Sequence, residues 1–390
     1  MRLSVLDSLR GIFALMIVFL HIPMQSHFFY MDFVRNSGTF VEFFFVLSGF
    51  VISLSYMGKV GQRHALPEFM IRRTGRLWPL HMATLAGFVL LILIKALADM
   101  LGIFSADVLY SGPAITIFTI ENIFLVHAFR SETVLWLNFP SWSISAEFWA
   151  YALFGLICLT SVRAIPWLAG LVAIAAFAVL RGWIDPGFGY FIGYGLWRGI
   201  CFFMVGHLCY LVWLRIRHLR LPAATFAECA VVALIIVQTI HLDIPVVEIL
   251  TPLTFALAIL VFTFEGGMVS RILLFGPIRT LGERSYSIYM IHVLVLAVLG
   301  LLLRMIERLM GLSLQSANRS GEEAPKLVDF GSVWIMDIAT LMLVAVVVWL
   351  AGFTYRWVEM PGQAWTNAWI KEWRAKRCKD QSSSQPYRTE

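Results

Sequence analysis

Long apolar runs alternate with short polar segments along almost the whole chain. Ten of these runs have the character of membrane-spanning helices. They lie near residues 11–28, 40–57, 82–102, 146–161, 165–181, 196–214, 223–241, 246–264, 285–303 and 332–353. An eleventh run at 114–128 is shorter and contains Glu121, Asn122 and His127. The pattern predicts an all-α polytopic membrane protein of about ten transmembrane helices.

The distribution of Lys and Arg predicts the orientation of these helices. If the N-terminus is cytoplasmic and the 114–128 run does not cross, most of the 30 Lys and Arg residues lie inside, as the positive-inside rule requires. A full crossing by that run would turn the basic loops around Arg215 and Arg279 outward. We therefore expect both termini in the cytoplasm and a re-entrant or extracytoplasmic segment near 114–128.

Composition narrows the class further. Hydrophobic residues make up 59% of the chain and charged residues 14%, against about 25% charged in soluble domains. We expect one integral-membrane domain over 1–360 and a basic cytoplasmic tail over 361–390 with a disordered end. The net charge of +6 is explained by Lys and Arg residues that orient the helices in the membrane. We therefore expect membrane lipid as a partner and do not expect nucleic acid. The first run lacks a signal-peptide cleavage site and is expected to remain uncleaved.

Three ionisable residues share one face of the first helix. Arg10 and His21 are eleven residues apart, which at about 100° per residue brings them within roughly 20° of the same direction. Asp7 lies about 40° to the other side of His21. Ionisable residues inside a membrane helix are costly and mark functional sites. A snorkelling arginine and a hydrogen-bonded histidine are the alternative, but the three together favour a catalytic site.

Glu42 begins the second apolar run, in VEFFFVLSGFVI. Because the first two helices form a hairpin, we expect Glu42 near His21. A carboxylate beside an imidazole fixes its tautomer and keeps it basic, as a general base requires. The alternative is a glutamate that ends a membrane span at the interface.

Arg72, Arg73 and Arg76 lie in IRRTGRLWPLH, in the expected inside loop 58–81. Their spacing of about one helical turn predicts three guanidinium groups on one face. Each guanidinium can donate two hydrogen bonds to a phosphate. Basic residues beside a membrane span are the alternative explanation.

Two further segments combine aromatic and polar residues. Trp142, Ser143 and Glu147 lie in PSWSISAEFWAY, and Tyr286 and His292 lie in SYSIYMIH. Rings that stack on sugars and polar groups that bind hydroxyls make all five candidates for substrate binding. For the first segment the alternative is an interfacial aromatic belt, and a lone intramembrane histidine is more often a packing residue. The sequence has no metal-ligand spacing and no Gly-rich phosphate loop.

These motifs stand in an order that resembles the acyltransferase-3 family of integral-membrane O-acyltransferases, many of which acetylate surface or secreted polysaccharides. The motifs are LDSLRG with its R-x10-H spacing, VEFFFVLSGFVI, RRTGRLWPL, PSWSISAEFWAY, SYSIYMIH and YRWVEMP. The resemblance extends from Leu6 to about Pro361. Each motif alone is weak, whereas six in order are specific.

The resemblance implies roles for individual residues. His21 is expected to be the catalytic base, with Arg10 as its essential partner. Arg73 and Arg76, as an RxxR pair, are expected to hold acyl-CoA from the cytoplasmic side. Where the family's WSLSVEE-type motif has a second acid, this chain has Phe148, so a role for paired carboxylates is not carried over.

The expected function is transfer of an acyl group from cytosolic acyl-CoA, with acetyl-CoA as the expected donor, to a hydroxyl of a carbohydrate outside the cytoplasm. The acceptor would be an exopolysaccharide, an O-antigen or a glycan precursor. The expected location of the protein is the cell inner membrane. Succinyl transfer, and a transporter or exporter of a polar solute, are the alternatives. The sequence does not decide between direct transfer and a transient acyl group on His21. It does not decide the oligomeric state either.

Overall fold

A computed structural model describes residues 3–59, 62, 65–102, 112–130, 137–183, 195–311, 315–316 and 327–383. The described residues are almost entirely helical. The α-helices are α1 (Ser4–His21), α2 (His27–Tyr30), α3 (Asp32–Arg35), α4 (Phe40–Tyr56), α5 (Ala65–Met100), α6 (Gly112–Ile123), α7 (Trp142–Ile157), α8 (Ile165–Trp183), α9 (Gly195–Ile216), α10 (Ala224–Ile240), α11 (Pro245–Phe262), α12 (Met268–Leu273), α13 (Gly276–Glu283), α14 (Ser285–Met310), α15 (Val333–Thr354) and α16 (Met360–Ser383). Two-residue strands β1 (Gln315–Ser316) and β2 (Leu327–Val328) form one antiparallel pair.

The predicted polytopic helical architecture is confirmed. Within the described ranges, seven helical stretches are long and apolar enough to cross a membrane, and α8 and α10 contribute shorter apolar helices. The number of spans and the location of both termini stay predictions. The seven stretches are Ser4–His21, Ser37–Tyr56, Ala65–Met100, Gly195–Ile216, Pro245–Phe262, Ser285–Met310 and Val333–Lys376.

Helix α1 ends at His21 rather than continuing to residue 28. The ring of Pro23 disfavours a helical conformation at the preceding residue, and Ile22 is indeed extended. His21 is therefore the last helical residue and is only half-buried, while Arg10 lies in the middle of the helix.

Much of the expected inside loop 58–81 is helical. Helix α5 begins at Ala65 and runs without interruption through the arginine-rich segment, with Pro79 in its interior. The three arginines are thus held by a rigid helix, and the direction of each side chain is set by the helical period.

The segment expected to be a tail forms a helix as far as Ser383. Helix α16 packs along α5, and Arg374 Nη2 donates to Glu68 Oε1 across 2.6 Å. Disorder is predicted from Gln381 onward; residues 381–383 are helical instead, and residues 384–390 lie outside the described residues.

The shorter run at 114–128 forms α6 and then turns back at Leu125, which has a left-handed φ of 54°. The twelve described residues of α6 extend about 18 Å, compared with a hydrocarbon core of about 30 Å. The Leu125 carbonyl accepts hydrogen bonds from Ser145 Oγ at 2.5 Å and Trp149 Nε1 at 2.8 Å. Non-helical backbone at membrane depth needs such cover by protein; the re-entrant or extracytoplasmic location of this segment stays a prediction.

Helices α4 and α9 cross at two glycines. Gly49 lies against the backbone of Phe203, and Gly206 lies against the backbone of Val46. A β-carbon on either glycine would overlap the facing main chain. Small residues allow such close approach between membrane helices, and this crossing fixes one wall of the site described below.

Gly206→Ala is expected to destabilise the protein by about 1–3 kcal/mol because the added methyl group meets rigid backbone. Thermal unfolding of the purified protein in detergent measures the loss. Gly300→Ala is the matched control, because a β-carbon at Gly300 of α14 would have no neighbour within 4 Å. Equal unfolding temperatures for the two variants would contradict the close crossing.

Candidate active site

A cavity of about 260 Å³ lies among α1, α4, α5, α7 and α14. It follows α4 from Val41 to Ser55, a length of about 20 Å for a helix. We call it the arginine cavity, because its charged lining includes Arg10, Arg73 and Arg76. Apolar side chains of α4 form most of the facing wall.

The Arg10 side chain is held in this cavity by hydrogen bonds to residues near the start of α14. Its Nε donates to Ser285 Oγ at 2.7 Å and its Nη2 donates to the Gly282 carbonyl at 3.3 Å. Asp7 lies 3.5 Å from Arg10 Nη2 and also lines the cavity. Asp7 cannot orient the His21 ring, because the two residues are fourteen positions apart on α1, or about 21 Å along the helix axis.

The three arginines of α5 do not share one face, contrary to the prediction. Arg73 and Arg76 line the cavity. Arg72 points elsewhere and donates to Glu68 Oε1 at 3.0 Å and to Asn367 Oδ1 at 2.6 Å. Neighbouring residues of a helix are about 100° apart, so Arg72 and Arg73 cannot face the same way. The cavity therefore holds the RxxR pair without Arg72.

Arg73 has donor capacity to spare. Its guanidinium lies 5.7 Å from the ring centroids of Phe69 and Tyr151. Its buried Nε has no hydrogen-bond partner among the described residues. A buried donor left unsatisfied is costly and calls for a ligand or water.

Carboxylates balance the arginines. Glu147 lines the cavity and accepts hydrogen bonds from the hydroxyl groups of Ser48 and Tyr151. Glu359, which sequence analysis missed, is buried and accepts from Ser287 Oγ at 2.8 Å. It ends a π-helical segment, Tyr355–Glu359, a type of distortion frequent at functional sites.

The Glu359 carboxylate also interacts electrostatically with Arg76 and Arg10. The only sequence signal for it was its place in the YRWVEMP motif. Nothing in the apolar pattern predicts a π-helical turn, so its direction could not be derived from spacing.

His21 and His292 lie together at the far end of α1 and form what we call the histidine pair. Their rings are 5.0 Å apart, and His21 Nδ1 lies 3.4 Å from His292 Nε2. His21 Nδ1 lies 2.8 Å from the Ile17 carbonyl, and His292 Nδ1 lies 2.5 Å from the Tyr289 carbonyl. A carbonyl only accepts, so we assign the proton to Nδ1 in both rings. This tautomer leaves the Nε2 lone pair of His21 available as a base.

Glu42 is not beside His21, so that prediction is wrong. Its carboxylate is paired with the Arg198 guanidinium, and both side chains are buried. The partner comes from α9, which crosses α4 closely and could not be identified from a hairpin of the first two helices. The carbonyl of Ile17 takes the orienting role expected of Glu42.

The expected sugar-stacking surface at Trp142 is also corrected. The indole is 8% exposed, with the Arg198 guanidinium 5.2 Å from its ring centroid and the Phe45 ring 6.1 Å away. A ring enclosed in this way is not open to a sugar. Ser143 points inward as well and lines the arginine cavity.

Tyr286 lines the arginine cavity too, and its hydroxyl donates to the Leu77 carbonyl at 2.5 Å. Of the five substrate-binding candidates, Ser143, Glu147 and Tyr286 thus share one cavity with the arginines. His292 belongs to the histidine pair. Within the described residues, no group of three His, Cys, Asp or Glu side chains could hold a metal ion.

Comparison with known proteins decides the family. A family model described as an acyltransferase domain, that of the acyltransferase-3 family, matches residues 3–358. The chain belongs to the acyltransferase-3 family. As an acyltransferase-3 protein with several helices long and apolar enough to cross a membrane, it is a multi-pass membrane protein.

Two curated proteins are similar to this acyltransferase-3 chain. "Acyltransferase MdmB" of Streptomyces mycarofaciens is 29% identical over 195 residues, 46% of each chain. "Protein 2 in picA locus" of Rhizobium radiobacter is 38% identical over 86 residues, 22% of this chain and 43% of that protein. The chain thus matches less than half the length of either relative. No solved structure matches it.

Proposed function

We propose that the enzyme transfers an acyl group, with acetyl as the expected group, from acyl-CoA to a hydroxyl of a carbohydrate outside the cytoplasm. One observation carries the proposal. Helix α1 has Arg10 at the arginine cavity and His21 at the histidine pair, about 16 Å apart along its axis. An anion site in the middle of one membrane helix and a base at its end are thereby held apart at a fixed distance.

The arginine cavity supports acyl-CoA as the donor. Guanidinium groups bind phosphates with paired hydrogen bonds, and Arg73 keeps a buried donor without a partner in the described part of the chain. A cavity of about 260 Å³ is smaller than a typical pocket for a whole drug-sized ligand. We infer that the nucleotide stays at the mouth and the acyl-bearing arm enters.

The histidine pair supports general-base catalysis. His21 Nε2 takes the proton of the acceptor hydroxyl as its oxygen attacks the thioester carbonyl. The new O–C bond forms, the C–S bond breaks, and the leaving CoA thiolate recovers the proton. The Ile17 carbonyl, 2.8 Å from His21 Nδ1, stabilises the imidazolium that forms on the way.

The arrangement also supports a direction across the inner membrane. With ten spans and both termini cytoplasmic, the first half of α1 lies on the side where CoA is made. Its last residue, His21, then lies toward the carbohydrate. Membrane lipid surrounds the exposed apolar faces of the bundle.

Mass spectrometry of surface and periplasmic glycans, from cells with and without the protein, tests the function. We expect an ester that is present only with the protein, and its mass names both the acyl group and the acceptor. A succinyl ester would replace acetyl as the donor group. Absence of any ester from every glycan pool would contradict carbohydrate acylation and favour the transporter alternative.

Two neighbouring arginines give a matched test of the donor site. Arg73→Ala is expected to weaken acetyl-CoA binding by about tenfold to a hundredfold, the loss typical of hydrogen bonds to a charged group. Arg72→Ala, which removes the same charge from the other face of α5, is expected to change binding less than threefold. Isothermal titration calorimetry with the purified protein measures both. Equal losses would show that general surface charge, rather than the cavity, binds the donor.

A further inference from the structure

Tyr289 lies between the arginine cavity and the histidine pair. Its buried side chain lines the cavity, and its ring centroid is 5.7 Å from that of His292 and 6.1 Å from that of Phe44. His21 does not line the cavity. The two ends of the site are therefore separated at the ring of Tyr289.

The ring is held in this position by its hydroxyl group. The Tyr289 hydroxyl lies 2.9 Å from Ser143 Oγ and 3.0 Å from the Pro140 carbonyl. Ser143 belongs to the first turn of α7 and Pro140 lies just before that helix, across the site from α14. Because both hydrogen bonds join the Tyr289 hydroxyl to this facing segment, they restrain the ring against displacement.

The same residue also supports the histidine pair. The Tyr289 carbonyl lies 2.5 Å from His292 Nδ1, and His292 Nε2 lies 3.4 Å from His21 Nδ1. A displacement of residue 289 would therefore reach the base through His292. The side chain and the main chain of one residue connect both ends of the site.

We propose that Tyr289 is a gate residue, which admits the acyl group from the arginine cavity to His21 only when its hydroxyl releases Ser143 and Pro140. The inference rests on the proposed function, because it takes an acyl thioester to be the cavity's ligand. Closed, the ring keeps the thioester away from a histidine that is half-exposed and can activate water.

The reaction that the closed gate prevents is thioester hydrolysis. Water takes the place of the carbohydrate hydroxyl, and His21 removes its proton. The water oxygen bonds to the carbonyl carbon, the C–S bond breaks, and the products are the free carboxylic acid and CoA thiol. Closing an active site against water is one way in which enzymes prevent the hydrolysis of a reactive group.

Release of free thiol from acetyl-CoA without acceptor, by the purified full-length protein in detergent, tests the gate. Tyr289→Phe keeps the ring but removes both hydrogen bonds, and we expect about tenfold faster release. Tyr289→Ala, which removes the ring as well, is expected to release thiol at least as fast. Adding His21→Ala to either variant is expected to return release to background, because His21 activates the water.

Tyr210→Phe is the matched control, since Tyr210 is a buried tyrosine of α9 that packs between Phe50 and Trp213 away from the cavity. It is expected to keep the wild-type rate. An unchanged rate in Tyr289→Phe that still binds acetyl-CoA in calorimetry would overturn the gate alone, as would an equal increase in Tyr210→Phe. Failure of the wild-type protein to bind acetyl-CoA would overturn the proposed donor and the gate with it.

Discussion

His21→Ala is expected to lower acyl transfer by about 10²–10⁴-fold, the usual contribution of a positioned general base. The variant removes the imidazole whose Nε2 is the proposed acceptor of the proton, whereas Nε2 of the neighbouring His292 faces His21 Nδ1 at 3.4 Å. Because His21 is half-buried at a helix end, we expect little loss of stability. The decorated glycan, quantified by mass spectrometry at equal membrane abundance of the two proteins, measures the effect.

His27→Ala is the control for this result. His27 is an exposed histidine in the next helix whose Nδ1 lies 2.7 Å from Asp337 Oδ2, and it contributes to neither the cavity nor the histidine pair. We expect His27→Ala to leave the amount of acylated glycan at the wild-type level. The same decorated glycan from His21→Ala and wild type would show that His21 is not the base. A trapped acyl group on the wild-type protein without acceptor would instead indicate a covalent intermediate.

Glu42→Gln is expected to destabilise the protein by about 3–5 kcal/mol, the cost of leaving one member of a buried ion pair without its partner. The guanidinium of Arg198 cannot lose its charge to escape this cost. Unfolding in detergent mixed with increasing SDS, followed by tryptophan fluorescence, measures the change. The double variant Glu42→Leu with Arg198→Leu is expected to recover most of the stability, because it removes both charges from an apolar environment.

This pair of variants also decides between two roles for Glu42. If Glu42→Gln kept wild-type stability but lost as much activity as His21→Ala, the carboxylate would act on the histidine after all. A large loss of stability that the double variant restores would assign it to the crossing of α4 and α9. The coupling energy of the double-mutant cycle gives the strength of the pair.

The apolar pattern predicts most of the fold because membrane helices must satisfy all of their backbone polar groups with internal hydrogen bonds and expose apolar side chains to lipid. Arg10 and His21 lie on one helix, as expected. The helical period bears on α5: adjacent residues are about 100° apart, so Arg72 and Arg73 had to face differently. The prediction that all three arginines lie on one face of α5 did not take this period into account.

The errors at Glu42 and Trp142 have another cause. Both residues contact Arg198, which follows Glu42 by 156 positions and belongs to α9. Local spacing predicts which residues share a helix face, but it does not predict which helix that face meets. Contacts between helices that are far apart in the sequence are therefore seen only in the structure. The burial of the Glu359 side chain is likewise seen only there.

A single uninterrupted helix, α1, carries both Arg10 and His21, the proposed anion-binding arginine and the proposed base. Their separation of about 16 Å is set by the rise of eleven helical residues and cannot be altered by a loop movement. A bisubstrate inhibitor, which joins a coenzyme-like anion to a sugar mimic, therefore has one linker length to match. That length would be shared by every enzyme that keeps the two residues eleven helical positions apart.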